Sequence, residues 1–163
     1  MIGKKIQDAL NAHVQAEFYS SYLYVAMAAH CESSAFKGFS SWLRIQAAEE
    51  HAHAVKMLDY LLDRGGKARL MPIPAPPATF GTILQVFENV LQHERQVTGL
   101  VNKLYAAALT EKDVATQTFL QWFVTEQVEE EAHASEIVDK LTMVGDKSSA
   151  ALYLDKEYGK RSA

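Results

Sequence analysis

Cysteine is almost absent from this chain of 163 residues, in which Cys31 is the single one. One cysteine cannot form a disulfide within the chain, and it excludes zinc sites that are built on Cys-x-x-Cys pairs. Long apolar runs are missing as well, since no stretch approaches the roughly 20 apolar residues of a transmembrane helix. The first residues, MIGKKIQDAL, lack the apolar core of a signal peptide. We therefore expect a cytoplasmic, soluble protein without a membrane partner.

An excess of positive charge is also missing. Sixteen lysines and arginines stand against twenty aspartates and glutamates, which gives a net charge of −4 at pH 7. Because phosphate backbones are bound by clustered basic side chains, we do not expect nucleic acid as a partner. A hydrophobic content of 48% with 22% charged residues is ordinary for a globular protein. A chain of this length can bury about two thirds of its unfolded surface, so we expect a single domain over residues 1–163.

Proline and glycine are scarce, and their positions divide the chain into helices. From about residue 3 to 32, apolar residues recur at intervals of three and four, which predicts a long helix. The short ESSAF break then offers serine caps. A second helix is predicted from about 36 to 64, with Gly65 and Gly66 as left-handed caps at its end. All four prolines follow between residues 72 and 77, which excludes a helix interior there.

Two more long helices follow the proline-rich segment. The periodicity predicts a third helix from about 80 to 109 and a fourth from about 113 to 144. Thr110 and Asp113 are the capping candidates in the turn between them. The closing SSAALYLDKEYGK predicts a short amphipathic fifth helix at about 148–158.

Four helices of similar length predict an all-α fold, a four-helix bundle over about 3–144. Short breaks join helix one to helix two and helix three to helix four, so each pair should be antiparallel. The proline-rich link has about fourteen residues and can reach about 45 Å when extended, which is the length of a helix of about 30 residues. We therefore expect one long crossover between helices two and three, which makes these two helices parallel.

One glutamate interrupts the apolar stripe of each helix, roughly midway along it. Bundle helices bury side chains that are spaced about seven residues apart. The four stripes are Leu10, Glu17, Tyr24 and Cys31; Phe36, Leu43, Glu50 and Met57; Phe80, Phe87, Glu94 and Val101; and Phe123, Glu130, Ile137 and Val144. Burying one ionised carboxylate costs several kcal/mol, and four that face one another also repel. Protonation neutralises one or two in a pH-sensitive polar core, whereas a pair of divalent cations offsets the charge directly.

The spacing around these glutamates is typical of metal chelation by helices. His53 follows Glu50 by three residues, so both side chains project from one helix face, and Glu-x-x-His is a chelating pair in bundle proteins. Gln127 and Glu130 repeat this interval on helix four. Oxygen-rich ligation with one imidazole suits iron or manganese better than structural zinc. The sequence therefore predicts a metal site.

Several other residues near the stripes have more than one interpretation. Glu49, Glu126 and Glu129 border the stripe, and they either face solvent or together form a weaker third metal site. Tyr24 lies two turns from Glu17 on the same face, where its phenol fills the core, hydrogen-bonds a ligand or donates an electron. Trp122 is interpreted first as a packing residue. The remaining histidines are interpreted as surface or capped core residues: His13, His30, His51, His93 and His133.

These residues resemble the non-haem bacterial ferritins over essentially the whole chain. The matching segments are EFYSSYLY at 17–24, EEHAH at 49–53, HE at 93–94, FLQWFVTEQVEEE at 119–131 and the closing ALYLDKEYG. The resemblance implies iron storage and detoxification by a hollow shell of 24 identical subunits, with the fifth helix lining a four-fold channel. It also implies a ferroxidase that oxidises Fe(II) with O2 or hydrogen peroxide and deposits ferric oxide mineral inside the shell.

The resemblance further implies a role for each site residue. One iron would be bound by Glu17, Glu50 and His53, and the other by Glu94 and Glu130, with Glu50 as the bridge. Gln127 would lie close by as a weak ligand or as a partner of the ligands. A third iron site would use Glu49, Glu126 and Glu129 together with Glu130. Tyr24 matches a tyrosine beside the centre, and Trp122 matches a nearby aromatic residue that supplies an electron.

Two related families and two other functions are less compatible with the sequence. In the haem-binding bacterioferritins a haem-ligating methionine stands at the position of His51, and the histidine of a second Glu-x-x-His stands at that of Glu130, so we expect no haem. A rubrerythrin-like di-iron peroxidase usually adds a cysteine-ligated iron domain, which one cysteine disfavours. The DNA-protecting mini-ferritins lack the terminal helix. A storage-only shell subunit without ferroxidase activity stays an alternative, although the complete ligand set argues against it.

Overall fold

The computed structural model describes residues 1–145 and 147–162. Within these residues it contains five helices and no strand, which confirms the predicted all-α class. The helices are α1 (Lys4–Ser33), α2 (Lys37–Asp63), α3 (Ile83–Thr110), α4 (Val114–Val144) and α5 (Ser149–Tyr158). None of the helices in the described residues is long and apolar enough to cross a membrane.

Helices α1 and α2 are antiparallel neighbours. Near the start of α1, the Ile2 N–H donates to the carbonyl oxygen of Arg64, just beyond the end of α2, over 3.1 Å. Halfway along both helices, the Ser21 hydroxyl donates to the Ala47 carbonyl over 2.7 Å. The break of three residues between the two helices leaves no other arrangement for such long neighbours.

The proline-rich connection makes α2 and α3 parallel, as predicted. Near the end of α1, His30 Nε2 lies 2.8 Å from the carbonyl oxygen of Gly81, just before α3. Midway, the hydroxyl of Ser20 lies 2.8 Å from His93 Nε2. Helix α3 is therefore antiparallel to α1, as α2 is. Two helices that are both antiparallel to α1 point the same way, so the segment between them runs the length of the bundle.

Helix α4 closes the bundle by running antiparallel to α2. The Tyr60 hydroxyl, near the end of α2, lies 2.9 Å from Thr116 Oγ1 at the start of α4. Gln46, in the first half of α2, donates to Glu130 in the second half of α4 over 2.6 Å. All four long helices therefore have their midpoints at the same level of the bundle.

The start of α3 differs from the prediction because a local cap defines it. Gly81 has a φ of 76°, a left-handed conformation that glycine adopts without strain. Thr82 then forms a capping box, in which its hydroxyl accepts from the Gln85 N–H and Gln85 Oε1 accepts from the Thr82 N–H. The helix consequently begins at Ile83, and Phe80 lies before it although it is buried.

The other predicted caps are confirmed in part. Asp113 caps α4 by accepting from the Thr116 N–H over 3.1 Å, whereas the Thr110 hydroxyl donates back to a carbonyl of α3. Gly65 has the expected left-handed φ of 71°, but Gly66 is not among the glycines with positive φ. The predicted serine caps before α2 are wrong, because its N-cap is Phe36 and no side chain caps the helix.

The buried apolar side chains form two clusters, one in each half of the bundle. The first cluster contains residues such as Met27, Leu43 and Phe87, and it extends to Leu141. The second contains Leu10, Met57, Leu61, Leu104 and Phe123, with their neighbours. The gap between the clusters falls at the midpoint of all four helices. The core is therefore divided by a layer of polar residues.

Helix α5 packs against the start of α2. Asp155 Oδ1 accepts a hydrogen bond of 2.7 Å from the Phe39 N–H, and the Tyr158 ring stacks on the Phe39 ring with centroids 5.7 Å apart. A Cβ atom at Gly38 would lie 1.7 Å from the Asp155 carbonyl oxygen, and one at Gly159 would lie 2.8 Å from the Gly38 Cα. Glycine at both positions is what allows the two helices to approach.

We expect Gly38→Ala to displace α5 from α2. The added methyl would overlap the Asp155 carbonyl, and overpacking of this kind costs about 1–3 kcal/mol. Hydrogen exchange should therefore accelerate over residues 149–158. Gly99→Ala is the matched control, because no atom lies within 4 Å of its Cβ position and alanine within a helix stabilises it by about 0.5–1 kcal/mol. Wild-type protection of α5 in Gly38→Ala would contradict this packing.

Candidate metal centre

The layer between the two apolar clusters contains the predicted site residues. The four stripe glutamates are all buried, and Glu17, Glu50 and Glu94 are each only 1% exposed. His53 and Gln127 are buried beside them. Each of the four long helices contributes at least one of these side chains, because their midpoints coincide. The structure thus brings together the polar residues that interrupt the four stripes.

Ligand atoms from this layer form two groups that share one residue. In the first group, one atom each from Glu17, Glu50 and His53 lie within 4.8 Å of one another. In the second group, the same holds for Glu50, Glu94 and Glu130. Because Glu50 belongs to both groups and has two carboxylate oxygens, the arrangement can hold two neighbouring cations with Glu50 between them.

Three of the four carboxyl groups are poorly suited to being ionised without a cation. Burial, together with the charges of Glu94 and Glu17, raises the pKa of Glu50 well above its ordinary value. Burial and the charge of Glu94 raise the pKa of Glu130 to about 8. Burial also raises the pKa of Glu94 to about 7. A divalent cation would relieve this penalty because it replaces the proton as the counter-charge.

Glu17 differs from the other three carboxyl groups. Burial alone would raise its pKa, but the hydrogen bond and charge of His13, together with a hydrogen bond to Glu50 and the charge of His53, outweigh burial, so the pKa of Glu17 lies below its ordinary value. His13 Nε2 lies 2.8 Å from Glu17 Oε1. The second oxygen, Oε2, is buried and has no hydrogen-bond partner among the described residues. A buried carboxylate oxygen without a partner is costly, and a cation beside Glu50 and His53 would satisfy it.

Tyr24 and Gln127 both hold Glu94. The Tyr24 hydroxyl donates to Glu94 Oε1, and Gln127 Nε2 lies 3.2 Å from Glu94 Oε2. Burial and the charge of Glu94 raise the pKa of Tyr24 well above its ordinary value, so the phenol keeps its proton and stays a donor. The two residues therefore contact different oxygens of the same candidate ligand, and both were assigned to the site from the sequence.

Two polar partners of the candidate ligands were missed from the sequence. Gln46 is buried, and its amide nitrogen lies 3.1 Å from Glu50 Oε1 and 2.6 Å from Glu130 Oε2. His13 was interpreted as a surface or capped core residue, and it is a core residue whose partner is Glu17. The signal available was the interval of four, since His13 precedes Glu17 and Gln46 precedes Glu50 by one helical turn.

The residues of the predicted third site lie at the edge of the layer. Glu49 and Glu126 are half-buried and Glu129 is exposed. Glu49 pairs with Arg161, and Glu126 Oε1 is 4.0 Å from His53 Nε2. In the described part of the chain, none of these three carboxylates belongs to a group of ligand atoms within 4.8 Å. The third site stays a prediction.

Trp122 lies on the outer side of His53. The two rings meet edge to face with centroids 5.2 Å apart, and the Lys56 ammonium lies 3.3 Å from the centroid of the Trp122 ring. Trp122 is 39% exposed, so it packs at the boundary of the site and not within the core. It therefore separates His53 from solvent on one side.

Comparison with known proteins agrees with this architecture. The family model named Ferritin, described as a ferritin-like domain, matches residues 7–144 of this chain. The chain is 46% identical over 161 residues to a bacterial non-haem ferritin of Bacteroides fragilis, covering 99% of this chain and 100% of that one. It is 42% identical to a bacterial non-haem ferritin of Staphylococcus saprophyticus, covering 99% of this chain and 97% of that one. The chain belongs to the ferritin family.

A solved structure extends the comparison to the backbone of this ferritin. The open-pore ferritin of the hyperthermophilic archaeon Archaeoglobus fulgidus superimposes with a TM-score of 0.98. It is 46% identical in sequence, and the match covers 99% of this chain and 100% of that chain. The resemblance to non-haem ferritins that the sequence motifs indicated is therefore confirmed, and with it membership of an iron-storage family.

The buried carboxyl groups predict how the stability of the metal-free ferritin depends on pH. The folded chain holds protons on Glu94 and Glu130 up to a pKa of about 7 and about 8, against an ordinary value of 4.5. Between these values the folded state binds more protons than the unfolded state, so the free energy of unfolding falls as pH rises. The expected loss between pH 5 and pH 8 is on the order of a few kcal/mol.

Thermal unfolding of the metal-free protein at several pH values measures this loss. The melting temperature should fall from pH 5 to pH 8, and added Co(II) or Zn(II) should restore it at pH 8. The control is a double variant, Glu94→Gln with Glu130→Gln, which removes two of the three carboxyl groups with a raised pKa while keeping their shape. An equally steep pH dependence in the double variant would show that other groups cause it.

Proposed function

We propose that this ferritin is a ferroxidase as well as an iron-storage subunit. It binds two Fe(II) ions in the central layer, passes their electrons to an oxidant and releases Fe(III) for storage as ferric oxide. The observation that supports this most directly is the sharing of Glu50 between two groups of buried ligand atoms. A pair of metal ions held this closely can deliver two electrons to one oxidant molecule.

The residues divide between the two iron substrates. One Fe(II) is bound by Glu17, Glu50 and His53, and the other by Glu50, Glu94 and Glu130. Tyr24 and Gln127 orient Glu94 by their hydrogen bonds. The site contains one imidazole and four carboxylates, and the negative charge of carboxylate donors stabilises the more highly charged Fe(III) more than Fe(II), which neutral water ligands do to a smaller extent. The ligand set therefore makes oxidation more favourable than it is for iron in water.

The electron balance of the reaction is simple. Each of two Fe(II) ions loses one electron, and O2 takes up both electrons and two protons to form hydrogen peroxide. With hydrogen peroxide as the oxidant, the same two electrons cleave its O–O bond and, with two protons, give water. Hydrolysis of the two Fe(III) ions then releases protons and yields the hydrated ferric oxide that is stored. The protein supplies the positions of the two ions and the negative charge around them.

Storage requires an enclosed volume, which a single bundle does not contain. We therefore propose a homo-oligomeric shell of 24 subunits in which α5 contributes to a channel. Near-complete superposition on an archaeal protein described as an open-pore ferritin supports a shell with pores. Glu49, Glu126 and Glu129, together with Glu130, would hold a third iron at the edge of the central layer.

We expect Glu50→Ala to abolish rapid iron oxidation, because it removes the one ligand that both iron ions share. Metal-free protein is loaded anaerobically with two Fe(II) per chain and exposed to air, and absorbance is followed over milliseconds. Partners of metal ligands typically contribute 10–100-fold to activity or affinity, so loss of the shared ligand should reduce the rate by at least about 100-fold, to that of iron in buffer.

Glu88→Ala is the control for this experiment, since Glu88 is an exposed glutamate in the second turn of α3, away from the central layer. It should oxidise iron at the wild-type rate, and both variants should assemble as the wild type does. Oxidation by the wild type that is no faster than that of iron in buffer would reject the ferroxidase and leave a storage-only subunit.

A further inference from the structure

Arg161, which follows α5, reaches the edge of the metal layer. Its Nη1 donates to the side-chain oxygen of Gln46 over 2.9 Å, and its Nη2 pairs with Glu49. The centre of the guanidinium group lies 4.8 Å from the centroid of the Trp42 ring. Two hydrogen bonds and an aromatic face therefore fix a side chain that is only 24% exposed.

The contact with Arg161 determines which way the Gln46 amide points. A guanidinium group can only donate hydrogen bonds, so the oxygen of the amide must face Arg161. The amide nitrogen then faces the opposite side, where it lies within hydrogen-bond distance of Glu50 and Glu130. A flipped amide would place its NH2 group against the Arg161 guanidinium, and its oxygen against two groups that are carboxylates when a metal is bound. Both contacts would be unfavourable.

The position of Arg161 depends on how α5 is anchored. Asp155 bonds to the backbone of Phe39, and Gly38 and Gly159 allow close approach of the two segments. These contacts lie at the start of α2, about two turns before Gln46. The chain from Gly159 to Arg161 therefore continues along α2 towards the metal layer, and the guanidinium group arrives at Gln46 from the outside of the bundle.

We propose that Arg161 is a positioning residue of the metal centre, acting through Gln46. Arg161 holds the oxygen of the Gln46 amide, and the NH2 group of that amide holds one oxygen each of Glu50 and Glu130. The remaining oxygens of these two carboxylates are thereby directed into the site. The inference rests on the proposed function only in taking Glu50 and Glu130 as metal ligands.

Two opposite effects of Arg161 on metal affinity have to be separated. Orientation of the ligands increases affinity, since residues that hold metal ligands typically contribute 10–100-fold. The positive charge of Arg161 decreases affinity for a cation, but its pairing with Glu49 and its partial exposure weaken that repulsion. Because Arg161 acts one hydrogen bond further away than Gln46, we expect Arg161→Ala to lower affinity by about 3–10-fold.

Co(II) binding to the metal-free, assembled protein tests this without any oxidation. Co(II) is stable in air, and its ligand-field absorption reports both affinity and coordination. Arg161→Ala should weaken binding and change the absorption spectrum. Arg161→Lys keeps the charge but cannot donate to Gln46 and Glu49 with one rigid fork, so it should also bind more weakly than wild type. Lys160→Ala is the matched control, because Lys160 pairs with Glu157 and not with Gln46.

A double-mutant cycle with Gln46→Ala shows whether Arg161 acts through Gln46. If it does, adding Arg161→Ala to Gln46→Ala should change Co(II) affinity by less than twofold. Full additivity of the two effects would overturn the proposal. Unchanged or tighter Co(II) binding by Arg161→Ala would overturn it as well, and so would wild-type affinity and spectrum in Arg161→Lys.

The failure of this proposal can be told apart from failure of the proposed function. Iron oxidation in air is followed on the same preparations. Wild-type protein that binds Co(II) in an Arg161-dependent way but oxidises Fe(II) no faster than buffer would overturn the ferroxidase alone. Rapid iron oxidation by the wild type, together with Co(II) binding that is the same in wild type and Arg161→Ala, would overturn the positioning role alone.

Discussion

Four carboxyl groups that face one another inside a protein are the constraint on which the rest of this structure depends. Removing a charged group from water costs several kcal/mol of solvation free energy, and Glu50 and Glu94 are only 1% exposed. The apolar side chains buried in the two clusters on either side of the layer hold the helices together despite this desolvation cost. Packing of the apolar clusters thus maintains an arrangement of four carboxyl groups that is energetically unfavourable until a cation is bound.

Hydrogen-bond donors around the layer reduce this cost without occupying the site. His13 hydrogen-bonds to Glu17. Glu94 accepts hydrogen bonds from both Tyr24 and Gln127. Gln46 donates to Glu50 and Glu130. Each donor contacts a carboxylate from outside the two groups of ligand atoms. Such partners fix the direction of a metal ligand and are part of a metal site as much as the ligands are. These polar side chains therefore already orient the candidate ligands by hydrogen bonds before a metal is bound.

The sequence was sufficient for the fold and for the cluster of buried polar residues at the middle of the bundle, but not for every hydrogen bond within that cluster. A single glutamate in each apolar stripe of seven-residue spacing is visible without coordinates, and the Glu50-x-x-His53 interval indicates metal chelation. Burial patterns do not identify which donor meets which carboxylate, so Gln46 and His13 were missed. The Arg161–Gln46 contact joins residues 115 positions apart, and no local pattern predicts it. The start of α3 was misplaced for a different reason, because the capping box at Thr82 outweighs the apolar periodicity.

The fifth helix shows why a short terminal element can affect a buried site. Ten residues are too few to form a stable helix in isolation, and Ala151 is the one residue of α5 that is fully buried. Its order must come from tertiary packing, on α4 through Tyr158 and Glu136 and most closely on α2, where Gly38 and Gly159 leave no space for a side chain. That packing determines the position of Arg161, which follows α5 by three residues. Any change that lifts α5 from α2 therefore also frees Gln46, so the outer surface of the bundle and the orientation of Glu50 and Glu130 depend on the same contacts.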